Sequence, residues 1–162
     1  MSRLRSSGWI LPLSLSAAFL LGLLPLSETI APFRPYWLAL VLMYWAIECP
    51  ATIGLGTAFG CGVIADVLYG GRLGEQSLRL IVIIFLVERF RARLRFFPLP
   101  QQAIVVGGLL INDFVVLTIL HLTLGEPILA WTYAWSACIG TLFWPPIFIF
   151  LDALRLGQRN RK

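Results

Sequence analysis

Charged residues are sparse along this chain, and the apolar stretches between them predict six helices. The stretches cover residues 9–26, 36–49, 53–70, 74–94, 103–124 and 131–152, with prolines, glycines and charges marking the boundaries. A helix rising 1.5 Å per residue needs roughly 20 apolar residues to cross a hydrocarbon core of about 30 Å, and the fifth and sixth stretches come closest to that. The second is closed by Glu48-Cys49-Pro50, where the proline discourages continuation of the helix. The fourth is the weakest, because only eight uncharged residues separate Arg79 from Glu88. It reaches spanning length only by starting near Gly74 and running to about Leu94, with its charges at the two interfaces. No linker, low-complexity tract or internal repeat interrupts the plan, so the expectation is one transmembrane domain over 1–162. The fold class predicted is an all-α integral membrane protein, a six-helix transmembrane bundle.

Composition narrows the environment. Of the 162 residues, 59% are hydrophobic and 13% charged, where soluble domains average about 45–50% apolar and about 25% charged. The mean hydropathy is +0.84. Six spans would use nearly the whole length, which leaves no room for a large soluble catalytic domain. Disorder, a collagen-like repeat and a coiled coil are excluded by the high apolar content and the absence of Gly-X-Y or heptad periodicity.

The net charge of +5 acquires its meaning from placement. With the N-terminus inside, Arg3, Arg5, Arg89, Arg91, Arg93, Arg95, Arg155, Arg159, Arg161 and Lys162 all fall on the cytoplasmic side, leaving Arg34, Arg72 and Arg79 outside. The positive-inside rule therefore selects both termini cytoplasmic. Charge concentrated at membrane boundaries orients helices and meets anionic lipid, so no nucleic-acid partner is expected. Arg3 and Arg5 before an apolar run could begin a signal peptide, but residues 9–26 exceed the 7 to 15 residues typical of such a core and no clear A-x-A site follows. An uncleaved first span is the expectation.

The third stretch carries the densest small-residue pattern. Gly56 and Gly60 form a G-x-x-x-G pair, and Gly54, Ala58 and Gly62 make an adjoining stripe. Small residues let helix backbones approach closely in lipid, so the stripe predicts internal helix packing or, alternatively, contact with another membrane protein. Asp66 near the outer end of this stretch and Arg79 early in the next should lie at similar depth, which predicts that they approach each other, directly or through water. Asn112 and Asp113 occupy the middle of the fifth stretch, with His121 eight residues beyond Asp113 and near the same helical face. A transport reading makes Asp113 a proton or cation carrier; the alternative is a hydrogen-bonded contact within the bundle. Glu48 should reach the cytoplasmic interface, and Asp152 either does so or pairs near Arg155.

Three scattered cysteines, Cys49, Cys61 and Cys138, suit neither a disulfide framework nor a zinc site and are expected to be inert, buried thiols. A lone histidine does not make a metal centre. No nucleophile stands beside a base, so no catalytic residue, metal or cofactor is expected. The six tryptophans lie mostly toward segment ends, as in an interfacial aromatic belt.

The same residues form a wider pattern. Phe33-Arg34-Pro35-Tyr36-Trp37-Leu38, Tyr44-Trp45, Gly56-Thr57-Ala58-Phe59, Gly62, Asp66, Gly70, Leu73-Gly74, Leu78, Pro98, Gln101-Gln102-Ala103 and Trp144-Pro145 follow one another in an order that resembles the rod shape-determining protein MreD family. The likeness covers nearly the whole chain; it departs at Ala51-Thr52, where many relatives are basic, and at Trp144-Pro145-Pro146 in place of W-P-W. What the resemblance implies is a multi-pass component of the bacterial inner membrane acting in cell elongation and side-wall peptidoglycan synthesis. The partners it implies are MreC directly, with MreB, RodA, RodZ and the elongation transpeptidase in the same complex. It also implies a bundle like the substrate-binding subunits of energy-coupling-factor transporters. Two mechanisms follow. One is a non-catalytic scaffold working through the small-residue stripe and the outer loops around Phe33 to Trp37 and Gly70 to Gln76. The other is a small-molecule or ion binder using Asp66, Asp113 and His121.

Overall fold

The computed structural model describes residues 9–25, 27, 33–125 and 133–159. These form six α-helices in sequence: α1 (Ile10–Leu23), α2 (Trp37–Glu48), α3 (Leu55–Tyr69), α4 (Glu75–Leu94), α5 (Leu99–Thr123) and α6 (Ala134–Arg159). The chain is all-helical across the described residues. Like ends of alternate helices meet, the end of α1 at Gly22 with the end of α3 at Tyr69 and the end of α2 at Glu48 with Arg155 near the end of α6, as they do when successive helices alternate in direction. Arg34 to Trp37, Tyr69, Arg79, His121 and Ser136 thus gather at one end. The arginines of α4's last turns and Arg155 lie at the other.

Two helices are long and apolar enough to cross a membrane, Leu99–Thr123 and Ala134–Gly157. The others differ for identifiable reasons. α4 has 20 residues but carries Glu75, Arg79, Glu88, Arg89, Arg91 and Arg93, which lower its mean hydropathy. α1, α2 and α3 have 14, 12 and 15 residues, about 18 to 23 Å of rise. α2 is short because it is the centre of the bundle: every residue from Leu38 to Ile47 is buried, against α1, α4 and α6. A helix enclosed by other helices does not have its length set by the bilayer.

Local chemistry sets the ends. α3 stops at Gly70, which adopts φ +64° and donates its N–H to the Asp66 carbonyl, a left-handed cap that favours glycine. Gly74, at φ +99°, turns the chain into α4. α5 opens at Pro98 in extended conformation, with Pro100 in its first turn where the missing N–H costs nothing. α6 continues past the expected end of its stretch to Arg159 and contains Pro145 and Pro146.

Close packing uses small residues, on α3 those of the adjoining stripe rather than the G-x-x-x-G pair. A Cβ on Gly62 would come within 2.6 Å of the Ser77 backbone nitrogen, so α3 and α4 touch backbone to backbone there. α5 and α6 approach through Gly107, where a Cβ would meet Thr141 Oγ1 at 2.5 Å, and Gly140, where it would meet Leu110 Cδ1 at 2.6 Å. Gly56 and Gly60, by contrast, face open space. Internal packing therefore falls to Ala58, Gly62 and Ala65, all buried, and the G-x-x-x-G pair is left facing outward.

Two further expectations are corrected. Trp45 and Trp144 are fully buried in the core, whereas Trp9 and Trp135 are exposed, so the tryptophans do not all belong to a belt. Trp45 donates its indole N–H to Ser14 Oγ at 2.9 Å, which joins α2 to α1 and satisfies a donor that lipid could not. Cys138 is exposed, and Cys49 and Cys61 are half-buried.

Candidate functional site

The described charged groups inside the bundle form two networks, one at each end. At the end where α3 meets α4, Asp66 is buried at 1% exposure. Its Oδ2 accepts from Gly74 N at 2.8 Å and from the Ser77 hydroxyl at 3.0 Å, and its Oδ1 accepts from Gln76 N at 2.8 Å. These donors are the unsatisfied first N–H groups of α4 and a hydroxyl in its first turn, where the helix dipole also favours negative charge. Asp66 is thus the side-chain cap of α4, supplied from the preceding helix.

The predicted approach of Asp66 to Arg79 is replaced by another pairing. Arg79 donates from Nε to Asp113 Oδ1 at 2.9 Å and from Nη2 to Asp113 Oδ2 at 2.5 Å, a two-pronged contact between α4 and α5. Both side chains are largely shielded, at 12% and 6% exposure. The Arg79 guanidinium also lies 4.5 Å from the centre of the Tyr36 ring and 3.5 Å from Gln76 Oε1. Tyr36 in turn donates its hydroxyl to Gln76 Oε1 at 2.7 Å. The physical reason for the exchange is geometric: a helix start needs acceptors, Asp66 is next to one, and Arg79 is left to the other buried carboxylate.

Asp113 and His121 both face the bundle, as their spacing suggested. Asp113 is buried in the ion pair, and half-buried His121 lines a polar cavity of about 390 Å³ with Arg34, Tyr36, Tyr69, Gln76 and Arg79. A smaller space of about 50 Å³ lies beside Asp113 and Tyr133. Asn112 does not belong with them, because one residue along a helix turns its side chain by about 100°, and it is exposed. Arg34 donates to the Leu24 carbonyl and its own carbonyl accepts from Ser136 Oγ at 2.5 Å, which binds the segment before α2 to α1 and α6. Pro35 is buried and Trp37 packs edge-on to Phe143 at 5.3 Å. Gly70 and Gly74 serve the α3–α4 turn.

At the opposite end Arg155 donates to Glu48 Oε2 at 2.5 Å and lies 3.9 Å from Asp152 Oδ1, linking α2 to α6. Gln102 donates to the Leu94 carbonyl at 2.8 Å, holding the α4–α5 corner. An apolar groove of about 620 Å³ runs between α1, α2 and α6, lined by Leu13, Ala17, Trp37, Val41, Pro146 and Phe150 among others. Among the described residues no group of three or more His, Cys, Asp or Glu is placed to hold a metal ion. Sequence reasoning placed Tyr36 and Gln76 in the outer loops without a role inside the bundle, and missed Tyr69, Ser77 and Ser14. A polar residue in an apolar stretch was the available signal, but its partner lies on a different helix.

Charges committed to helix ends and interhelical pairs, around an apolar core, define a helical bundle braced by its polar groups. Residues 4–154 match the family described as rod shape-determining protein MreD, and the chain belongs to that family. It is also similar to the rod shape-determining protein MreD of Haemophilus influenzae, 26% identical over 138 residues, 85% of each chain. No solved structure matches it.

Proposed function

We propose that this protein is a non-catalytic scaffold of the bacterial cell-elongation machinery, spanning the inner membrane six times with both termini in the cytoplasm and binding MreC. Through MreC it contributes to side-wall peptidoglycan synthesis by MreB, RodA, RodZ and the elongation transpeptidase. Membership of a rod shape-determining family supplies the process. The observation that carries the mechanism is the outward-facing Gly56 and Gly60 on α3, whose exposed neighbours Phe59, Val63 and Val67 are apolar. A single helix laid there gains close backbone approach, the principal source of helix affinity in lipid. The arginines of α4's last turns and Arg155, gathered at one end, support the orientation. The short α1 and α3 fit a bilayer if their flanking residues complete the crossing. An arrangement like the substrate-binding subunits of energy-coupling-factor transporters is part of the same proposal.

The test is co-purification with MreC from membranes, using Gly56→Leu/Gly60→Leu. The expected result is loss of MreC and of rod shape while the variant stays folded and inserted. Full retention of both would refute the stripe as the binding surface.

The polar cavity supports a second reading, in which the bundle binds or moves a small molecule or ion. Against Asp113 as a carrier stands its two-pronged engagement by Arg79. Proton-coupled uptake into vesicles that disappears in Asp113→Asn would support this reading, and the absence of any such uptake by wild-type protein would count against it.

A further inference from the structure

Asn112 is exposed on α5, with no side-chain hydrogen bond among the described residues. It is residue 14 of the 25 in Leu99–Thr123, one of the two helices long and apolar enough to cross a membrane, and so lies at the middle of that crossing. Its surroundings on the outer face are apolar: Ile104, Ile111, Val115 and Ile119 are all exposed. Gly108, one turn before Asn112, is exposed as well, and a Cβ built on it would meet nothing within 4 Å. A primary amide at the centre of a hydrocarbon layer has neither water nor headgroups to bond, and leaving its donors and acceptor unsatisfied is costly. Every other described polar side chain at comparable depth in α5 is engaged: Asp113 by Arg79, and Thr118 by the Phe114 carbonyl.

We propose that this face of α5 is the contact between two copies of the protein, with Asn112 bonded to Asn112 of the second copy. Three features select a second copy over an unrelated helix. All copies insert with the same topology, so a two-fold axis along the membrane normal sets the two α5 helices parallel and brings residue 112 to the same depth in both. A carboxamide both donates and accepts, so two of them related by that axis satisfy each other with two hydrogen bonds. An unrelated helix would have to present both a donor and an acceptor at that one depth. Gly108 gives the backbones room to approach beside the amide pair, and the β-branched isoleucines and valine lose little side-chain freedom on packing. A lone asparagine in an apolar helix seam also fixes register, because any slip leaves both amides unpaired.

The proposal rests on the membrane reading of α5, and the test separates the two. Full-length protein labelled with donor or acceptor fluorophores is reconstituted into phosphatidylethanolamine/phosphatidylglycerol vesicles, and energy transfer is followed as lipid is added. Wild-type protein should associate. Asn112→Leu should weaken association by about tenfold to a hundredfold, the effect of losing two interhelical hydrogen bonds at mid-membrane. Asn112→Gln should retain most of it, and Gly108→Leu should weaken it without touching the amide. Because both positions are exposed, each variant should fold with wild-type helix content and elute without aggregating. Wild-type protein that stays monomeric at high protein density, or association indifferent to Asn112→Leu, overturns the proposal. In parallel, Asn112→Cys in a background lacking Cys49, Cys61 and Cys138 is treated with a membrane-impermeant maleimide. Labelling from water would refute the membrane placement of α5 itself; protection together with monomeric behaviour would refute only the dimer.

Discussion

Removing one member of the Arg79–Asp113 pair should be far more damaging than removing both. Asp113→Ala leaves a guanidinium at 12% exposure with Tyr36 and Gln76 as its remaining partners, and neither carries a compensating charge. Breaking a buried pair in this way costs about 3–5 kcal/mol, because the surviving charge is still desolvated. Arg79→Met strands the Asp113 carboxylate and should cost a similar amount. The double variant Arg79→Met/Asp113→Leu replaces both charges with apolar groups of comparable volume, and should lie within about 1–2 kcal/mol of wild type. With the single variant Asp113→Leu, expected to cost as much as Asp113→Ala, closing the cycle, the coupling is about 4 kcal/mol or more, above the usual range for contacting residues and consistent with two charge-assisted hydrogen bonds. The assay is reversible unfolding in mixed micelles as the fraction of denaturing detergent rises, followed by the fluorescence of the buried Trp45 and Trp144. Asp113→Ala within about 1 kcal/mol of wild type would refute the reasoning, as would a double variant as unstable as the sum of the singles.

Three further outcomes follow from the packing. Gly62→Leu should destabilise the bundle by about 2 kcal/mol or more or prevent its folding, since the added atoms meet the Ser77 backbone, which cannot move aside, whereas Gly56→Ala and Gly60→Ala should leave the melting temperature unchanged or slightly higher. Asp66→Ala removes acceptors from Gly74 N, Gln76 N and Ser77 Oγ and should cost about 2–4 kcal/mol, with faster hydrogen exchange confined first to the start of α4. Ser14→Ala should cost about 1–3 kcal/mol by leaving the Trp45 indole N–H buried without its acceptor, a loss visible in thermal melts and in a shifted tryptophan emission.

Much of the architecture is legible in one dimension. The six helices, their order and their approximate limits follow from apolar stretches punctuated by proline, glycine and charge, because those residues act locally on backbone conformation. Gly70 and Gly74 at the α3–α4 turn are of this kind: the positive φ each adopts favours glycine. The polar positions that matter were also visible, as Asp66, Arg79, Asp113 and His121 stand out against an apolar background. What each bonds to was less accessible. Equal distance from a turn made Asp66 and Arg79 look like partners, but the free N–H groups at the start of α4 are backbone, absent from any reading of side-chain charge, and they engage Asp66 first.

By itself, then, the sequence determined the class of chain, since hydropathy and local backbone preference are properties of contiguous residues. Only the tertiary structure decided which way each helix is rotated. That rotation turns Gly62 onto Ser77 while Gly56 and Gly60 look outward, buries Asp113 while its neighbour Asn112 faces away, and encloses α2 so that 12 residues suffice. The physical reason is that all sides of α1, α2, α3 and α5 are nearly equally apolar, so hydropathy gives them no preferred face. In such a chain the rotation is set by steric fit between small residues and by the few polar groups that must find one another, and both depend on residues far apart in the sequence.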